Sequence, residues 1–172
     1  FYDYINGVKV SFNNGDNWYF VNFDDDYKHF YASEVRINDG IFVIKYCDLN
    51  GNEIWKREIN CNDNSSAYRY SSHIIDKKMY LLYNENIYIL NKSNGKDVVD
   101  PILMKGYEDM LKYKNFLILY SSSDNEVLAL NLNGNIVWRN SFSDKAASVY
   151  NIQAIDNEIL IEYNASDYMT YT

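Results

Sequence analysis

The sequence predicts an all-β domain of about four antiparallel sheets, and three observations carry that prediction. Short apolar runs rich in Ile, Leu and Val alternate with polar turns, and no stretch holds a convincing helical period. Tyr, with 18 copies, and Asn dominate the composition, although AT-rich codons would produce the same bias. Tyr suits the half-buried pleated surface of a strand, and Asn suits tight turns. Finally, one hairpin-sized pattern returns along the chain at a nearly constant spacing.

Its most complete copy is FLILYSSSDNEVLALNLNGNIVWRNSF, residues 116–142. It reads as strands at 116–120, 126–130 and 135–142, with a polar turn at 121–125 and a tight one at 131–134. Asn133-Gly134 tolerates the positive φ of a hairpin turn. Elsewhere a polar turn followed by an apolar strand ending in Tyr appears as NDGIFVIKY (38–46), KKMYLLY (77–83), KNFLILY (114–120) and DNEILIEY (156–163). The terminal residues Tyr46, Tyr83, Tyr120 and Tyr163 lie 37, 37 and 43 residues apart. Each copy follows another apolar stretch, at 34–37, 73–75, 110–113 and 150–155, so each reads as a hairpin.

A second segment follows the first three copies: DLNGNEIWKREI (48–59), NKSNGKDVVDP (91–101) and NLNGNIVWRNSF (131–142). Gly51, Gly95 and Gly134 align, and four residues later come Trp55, Val99 and Trp138. A large apolar residue at a fixed offset from a turn is what packing between adjacent sheets requires, so Trp55 and Trp138 are expected to be equivalent anchors. Pro101, the only proline, is expected to end an outer strand. A period of about 40 residues built from four short strands is the pattern of propeller blades, which makes the expected fold a small or partial β-propeller in one domain, residues 1–172.

Repeats are expected at about 27–64, 65–106 and 107–146, the first short of one strand or rearranged. Residues 8–12 and 18–23 read as a hairpin around Asn13-Asn14-Gly15 and resemble the second half of a blade, while 149–163 resembles a first half. The expectation is one blade split between the chain ends, 6–26 with 147–172, because separate halves would leave unpaired edges. If the ring is not closed this way, the halves are expected to pair with further blades or with a second chain.

The succession strand, turn, strand, Asp/Asn-x-x-Gly, then Trp resembles the repeat of pyrroloquinoline-quinone-type β-propellers, well over 34–142 and partly over 149–163. Quinone-dependent dehydrogenases of that class bind their cofactor on the ring axis with calcium and often a vicinal disulfide. This chain has no adjacent cysteines and too few blades to frame that cofactor, so the resemblance is to the non-catalytic branch, with no cofactor and no metal expected.

The net charge of −8 and pI near 4.7 argue against nucleic acid and against an anionic membrane surface as partners. No apolar run approaches the roughly 20 residues that span a bilayer. The chain starts at Phe1 and not at an initiator methionine, so the expectation is a protein that is processed or cut from something longer, and that is extracellular or at the cell surface. Cys47 and Cys61 flank one predicted hairpin, on the order of 20 Å apart, and are expected to be free thiols.

Few residues stand in patterns that carry chemistry. Asp48-Leu49-Asn50-Gly51-Asn52-Glu53 begins like a calcium loop but lacks the later glycine and glutamate, so it reads as a hairpin turn. Asp24-Asp25-Asp26, with Asn22 nearby, could ligate a hard cation, but a solvated loop is the commoner fate of such a run. His29 and His73 fall in no ligand spacing. Among the tyrosines, Tyr68, Tyr70, Tyr107 and Tyr150 are the candidates for a binding rim, since a phenol offers an apolar face and a polar handle; cross-strand packing is the competing role. The expected function is a non-catalytic exported or cell-surface module that binds protein or glycan. The rivals are a carbohydrate-active hydrolase or lyase with carboxylates at the propeller axis, and a luminal or periplasmic sensor domain.

Overall fold

The computed structural model describes residues 2–3, 8–9, 19–24, 26–36, 40–60, 70–142, 148–156 and 158–164. Among them every regular element is a strand, and neighbouring strands pair antiparallel. A two-stranded hairpin comes first, β1 (Tyr2–Asp3) with β2 (Val8–Lys9). Three four-stranded meanders follow. The first holds β3 (Tyr19–Phe23), β4 (His29–Arg36), β5 (Ile41–Asp48) and β6 (Glu53–Asn60). The second holds β7 (Tyr70–Ile75), β8 (Lys78–Tyr83), β9 (Asn86–Asn91) and β10 (Ile102–Leu103). The third holds β11 (Asp109–Tyr113), β12 (Phe116–Ser121), β13 (Glu126–Asn131) and β14 (Ile136–Ser141). A last hairpin joins β15 (Ser148–Ile155) to β16 (Glu158–Asn164). The expected all-β fold of about four antiparallel sheets is the observed one.

Local chemistry dictates the meanders. Asn84 and Glu85 both adopt positive φ, 47° and 59°, as a two-residue hairpin loop of type I′ demands. The turns after β5, β9 and β13 share one construction. Asp48, Asn91 and Asn131 each accept backbone N–H bonds on a side-chain oxygen, and the N–H of Gly51, Gly95 or Gly134 closes onto the carbonyl of that same residue. This settles the 48–53 segment as a hairpin turn.

The centres of the middle strands are largely apolar because both faces are covered, with Lys45 of β5 a buried exception. Phe42–Cys47, Met79–Tyr83, Ile87–Leu90, Leu117–Leu119 and Val127–Leu130 are buried throughout. Between the first and second sheets lie Tyr31, Phe42, Ile44, Tyr46 and Trp55 with Met79, Leu81, Tyr83 and Leu90. The Phe42 and Tyr83 rings stack at 4.2 Å. Between the second and third lie Tyr80, Leu82, Ile87 and Ile89 with Leu117, Leu119, Leu128 and Leu130. On its far face the third sheet packs Ile118, Val127 and Ala129 against Ile152 of β15.

At each of these first two seams the outer strand of one sheet covers the turn glycine of the next. Trp55 lies on Gly95, where a Cβ would stand 2.5 Å from the indole, and Trp55 Nε1 donates to the Lys92 carbonyl at 2.8 Å. Ile102 lies on Gly134, and there the Tyr80 hydroxyl donates to the Leu132 carbonyl at 2.9 Å. Both glycines have positive φ, so side chain and strain exclude other residues together.

Several expectations need correction. The first repeat is not short of a strand: β3 completes its sheet, so Tyr19–Phe23 belongs there and not to a split blade. Residues 34–36 belong to β4, which makes 38–46 the third strand of its sheet, whereas 77–83 and 114–120 form second strands. Among the described residues no strand within 8–23 pairs with one within 149–172; the two segments lie in different sheets. Val99 is not the counterpart of Trp55. The outer strand of the second sheet pairs at Asp97 with Leu90, leaves the sheet, and returns after Pro101 as β10, where Ile102 takes the covering role. Pro101 therefore precedes a strand segment. Trp138 is not equivalent to Trp55 in burial either: it is 38% exposed, against 8%.

Candidate functional site

The first candidate lies at the mouth of the seam between the first two sheets. The β3–β4 turn brings Asp24 under Tyr46 of β5 and beside Lys92, which follows β9. Asp24 is buried and accepts the Tyr46 hydroxyl at 2.5 Å and the Lys92 ammonium at 2.5 Å. Burial, then the bond to Asp24 and its charge, push the Tyr46 phenol above its ordinary value. Asp26 stays exposed and accepts the Lys28 amide at 2.8 Å and His29 Nδ1 at 2.7 Å. Slight burial opposes them, yet these two partners hold the Asp26 carboxyl below its ordinary value. A pocket of about 560 Å³ opens beside the cluster, lined by His29, Tyr46, Ile54, Lys77 and Lys92.

The expected solvated loop is thus half right: Asp26 is exposed, Asp24 is not, and Asp25 lies outside the described residues. One ligand atom each from Asp24, Asp26 and His29 lie within 4.8 Å of one another, a grouping the linear spacing hid. The donors already have partners, however. Lys92 supplies the positive charge that a cation would bring to Asp24, so the cluster reads as an inter-sheet clamp.

The second candidate lies on the seam between the second and third sheets. Tyr107, in the connection from β10 to β11, lines two adjoining pockets. One, of about 230 Å³, also meets Asn84, Glu85, Glu108 and Ser123. The other, of about 420 Å³, meets Leu103, Lys105, Asp124, Glu126, Ile136 and Arg139. The Tyr107 hydroxyl donates to Glu126, which also accepts Ser141 at 3.1 Å and pairs with Arg139 at 3.3 Å. Burial first, and then Glu126, push the Tyr107 phenol above its ordinary value. Ser122 donates to Glu108. Two aliphatic side chains stand on the lips of the larger pocket: Leu103, 68% exposed, and Ile136, 49% exposed. The seam therefore offers apolar lips, an oriented phenol and carboxylates.

Of the four candidate tyrosines, Tyr107 lies in this seam. Tyr70 is half-buried in the first seam, where its hydroxyl accepts from Ser33 at 3.0 Å and its ring meets Phe42 at 5.3 Å. Tyr150 lies on β15, with its side chain outside the described residues, and Tyr68 lies outside them altogether. His73 bonds the Met110 carbonyl at 2.8 Å, as a structural histidine does. Sequence reasoning missed Leu103, Ile136 and Glu126, which lie on β10, β14 and β13 and come together only through the packing of two sheets.

Comparison with known proteins leaves sequence relationships open: no family model and no curated protein matches the chain. Solved structures do match. The fold is similar to BamB from Moraxella catarrhalis at 16% identity and a TM-score of 0.58, over 83% of this chain and 46% of that one. It is similar to the WD40 domain of Neurospora crassa Pan2 at 14% identity and a TM-score of 0.56, over 86% and 43%. The computationally designed Ika8 protein matches at 12% identity and a TM-score of 0.58, over 86% and 44%. The chain thus spans less than half the length of these structures, and what the likeness shows is the fold, that of a β-propeller.

Proposed function

We propose that this chain is a non-catalytic protein-binding portion of a β-propeller, acting outside the cell or at its surface, and that the seam around Tyr107 is where it binds. The observation that carries the reading is the pair of exposed aliphatic lips, Leu103 and Ile136, flanking a pocket that holds Asp124 and Glu126. Apolar lips with a polar, charged rim are the anatomy of a protein interface. Aliphatic lips favour a peptide over a glycan, which stacks on flat aromatic faces. The carboxylates and the net charge of −8 favour a basic, amphipathic segment. The finer reading as quinone-type repeats rests on the Asx-x-x-Gly turns and on Trp55 covering Gly95.

Selection from a random peptide display library tests the reading. Basic, amphipathic sequences are expected, and Leu103→Glu and Ile136→Glu should each weaken their binding by about tenfold or more, as loss of an interface anchor does. Selected peptides that bind both variants as well as the parent would refute it.

A further inference from the structure

Each of the three four-stranded sheets ends in an outer strand, and such a strand carries a row of main-chain groups on which another strand can pair. Two of the three are guarded. β6 (EIWKREIN) places Glu53, Lys56, Arg57 and Glu58 along its length, and Lys56 pairs with Glu58 at 3.3 Å. β10 holds only two residues, too few to template a partner. β14 (IVWRNS) has neither guard: it has six residues, Arg139 is its single charge, and all six are exposed. Among the described residues it pairs with β13 alone.

β14 is also apolar on both faces. Ile136 pairs with Leu130 and Arg139 with Leu128, so both lie on the face toward the second sheet. Trp138 pairs with Ala129, whose face is the opposite one. Strict alternation would put residues 136 and 138 on one face; the irregularity between Ala129 and Leu130 separates them. Beyond it, residues 138–141 run in unbroken register with β13. A strand laid along β14 therefore gains apolar cross-strand neighbours on both of its faces.

We propose that an extended segment of a partner protein adds to β14 as a fifth strand of the third sheet. This rests on the reading of the Tyr107 seam as the binding surface, and it says how the partner lies there. Ile136 and Arg139 line the larger seam pocket, and Glu126 reaches Arg139 and Ser141 of the same strand. A strand beside β14 therefore turns alternate side chains toward Ile136, Asp124 and Glu126, and the others toward Trp138. Main-chain bonds supply affinity, and the alternate side chains supply the choice of sequence. Basic residues on the seam side meet the carboxylates, and an aromatic or β-branched residue on the other side meets the indole. The net charge of −8 on every copy works against pairing β14 with the β14 of a second copy.

The probe is a peptide selected on the protein from the display library, made as a series of copies that each carry one backbone N-methyl group. Only every second N–H of an added strand faces the sheet. N-methylation is expected to weaken binding by about tenfold or more at alternate positions and to leave the positions between them nearly unchanged. Trp138→Ala should weaken binding by about threefold or more, although its ring lies on the face away from the seam. Losses spaced three or four positions apart, as in a helical ligand, or no loss at any position, overturn the added strand; so does a peptide that binds Trp138→Ala as well as the parent. If Leu103→Glu and Ile136→Glu still weaken that peptide, the seam reading stands without the strand; a peptide indifferent to both overturns the two together. A dimer of the unliganded chain in sedimentation equilibrium that Trp138→Ala dissociates would assign the edge to a second copy and overturn the proposal as well.

Discussion

At Asp24 local sequence and tertiary structure disagree. Three successive aspartates read as solvent-facing, yet Asp24 is buried because Tyr46 and Lys92 reach it from two different sheets. Removing one partner leaves a buried charge short of its compensation. Lys92→Met is expected to destabilise the fold by about 3 kcal/mol, and Tyr46→Phe by about 2 kcal/mol, read from urea unfolding midpoints. Changes below about 0.5 kcal/mol in both would show that the clamp is not intact in solution. The raised phenols of Tyr46, Tyr80 and Tyr107 give a pH signature, to which Tyr46 and Tyr107 contribute through burial and through a bonded carboxylate as well. Their pKa is higher folded than unfolded, so their contribution is whole below the ordinary phenol value and is lost as pH climbs past it toward the folded value. Stability should therefore fall above about pH 10, and Tyr46→Phe with Tyr107→Phe should flatten that fall. None of this was legible in the sequence, because Tyr46 and Lys92 lie 22 and 68 positions from Asp24.

Among the elements, strands were legible and their phase was not. The expected strands at 116–120 and 126–130 lie within β12 and β13, since polar turns bound each apolar run. The first sheet was misphased because its third strand was matched to the second strands of the other sheets. In a four-stranded sheet both middle strands are buried on both faces, so their compositions are similar; only the Asx turn closed by glycine, after Asp48, Asn91 and Asn131, tells them apart. β3 was placed with the wrong sheet because its pairing with β4 carries an irregularity near Asn22, which breaks a clean alternation. The tryptophans give the element-scale prediction. Trp55→Ala should destabilise by about 3–5 kcal/mol, since it empties a packed seam. In dilute solution Trp138→Ala should change stability by less than about 1 kcal/mol, since its ring is already partly in water. Equal melting shifts would contradict the asymmetry of the two seams.

At the scale of the whole molecule, the period near 40 and the turn glycines made the fold readable, while the seam around Tyr107, the proposed binding surface, was hidden. It joins residues from the second and third sheets, and sheet-to-sheet neighbourhood is a property of the packing. The acidic balance has a consequence here. Binding of a basic peptide at the seam should weaken as salt rises from about 0.05 to 0.5 M, because the Debye length shrinks over that range; affinity indifferent to salt would speak for a purely apolar contact. The most direct test is an NMR titration of the labelled protein with a peptide selected on it, following the backbone amides. Shifts are expected at Leu103, Lys105, Tyr107, Glu126, Ile136 and Arg139, with the amides of Asp24, His29 and Lys92 unmoved. Shifts confined to Asp24, His29 and Lys92, with the Tyr107 seam silent, would contradict the account.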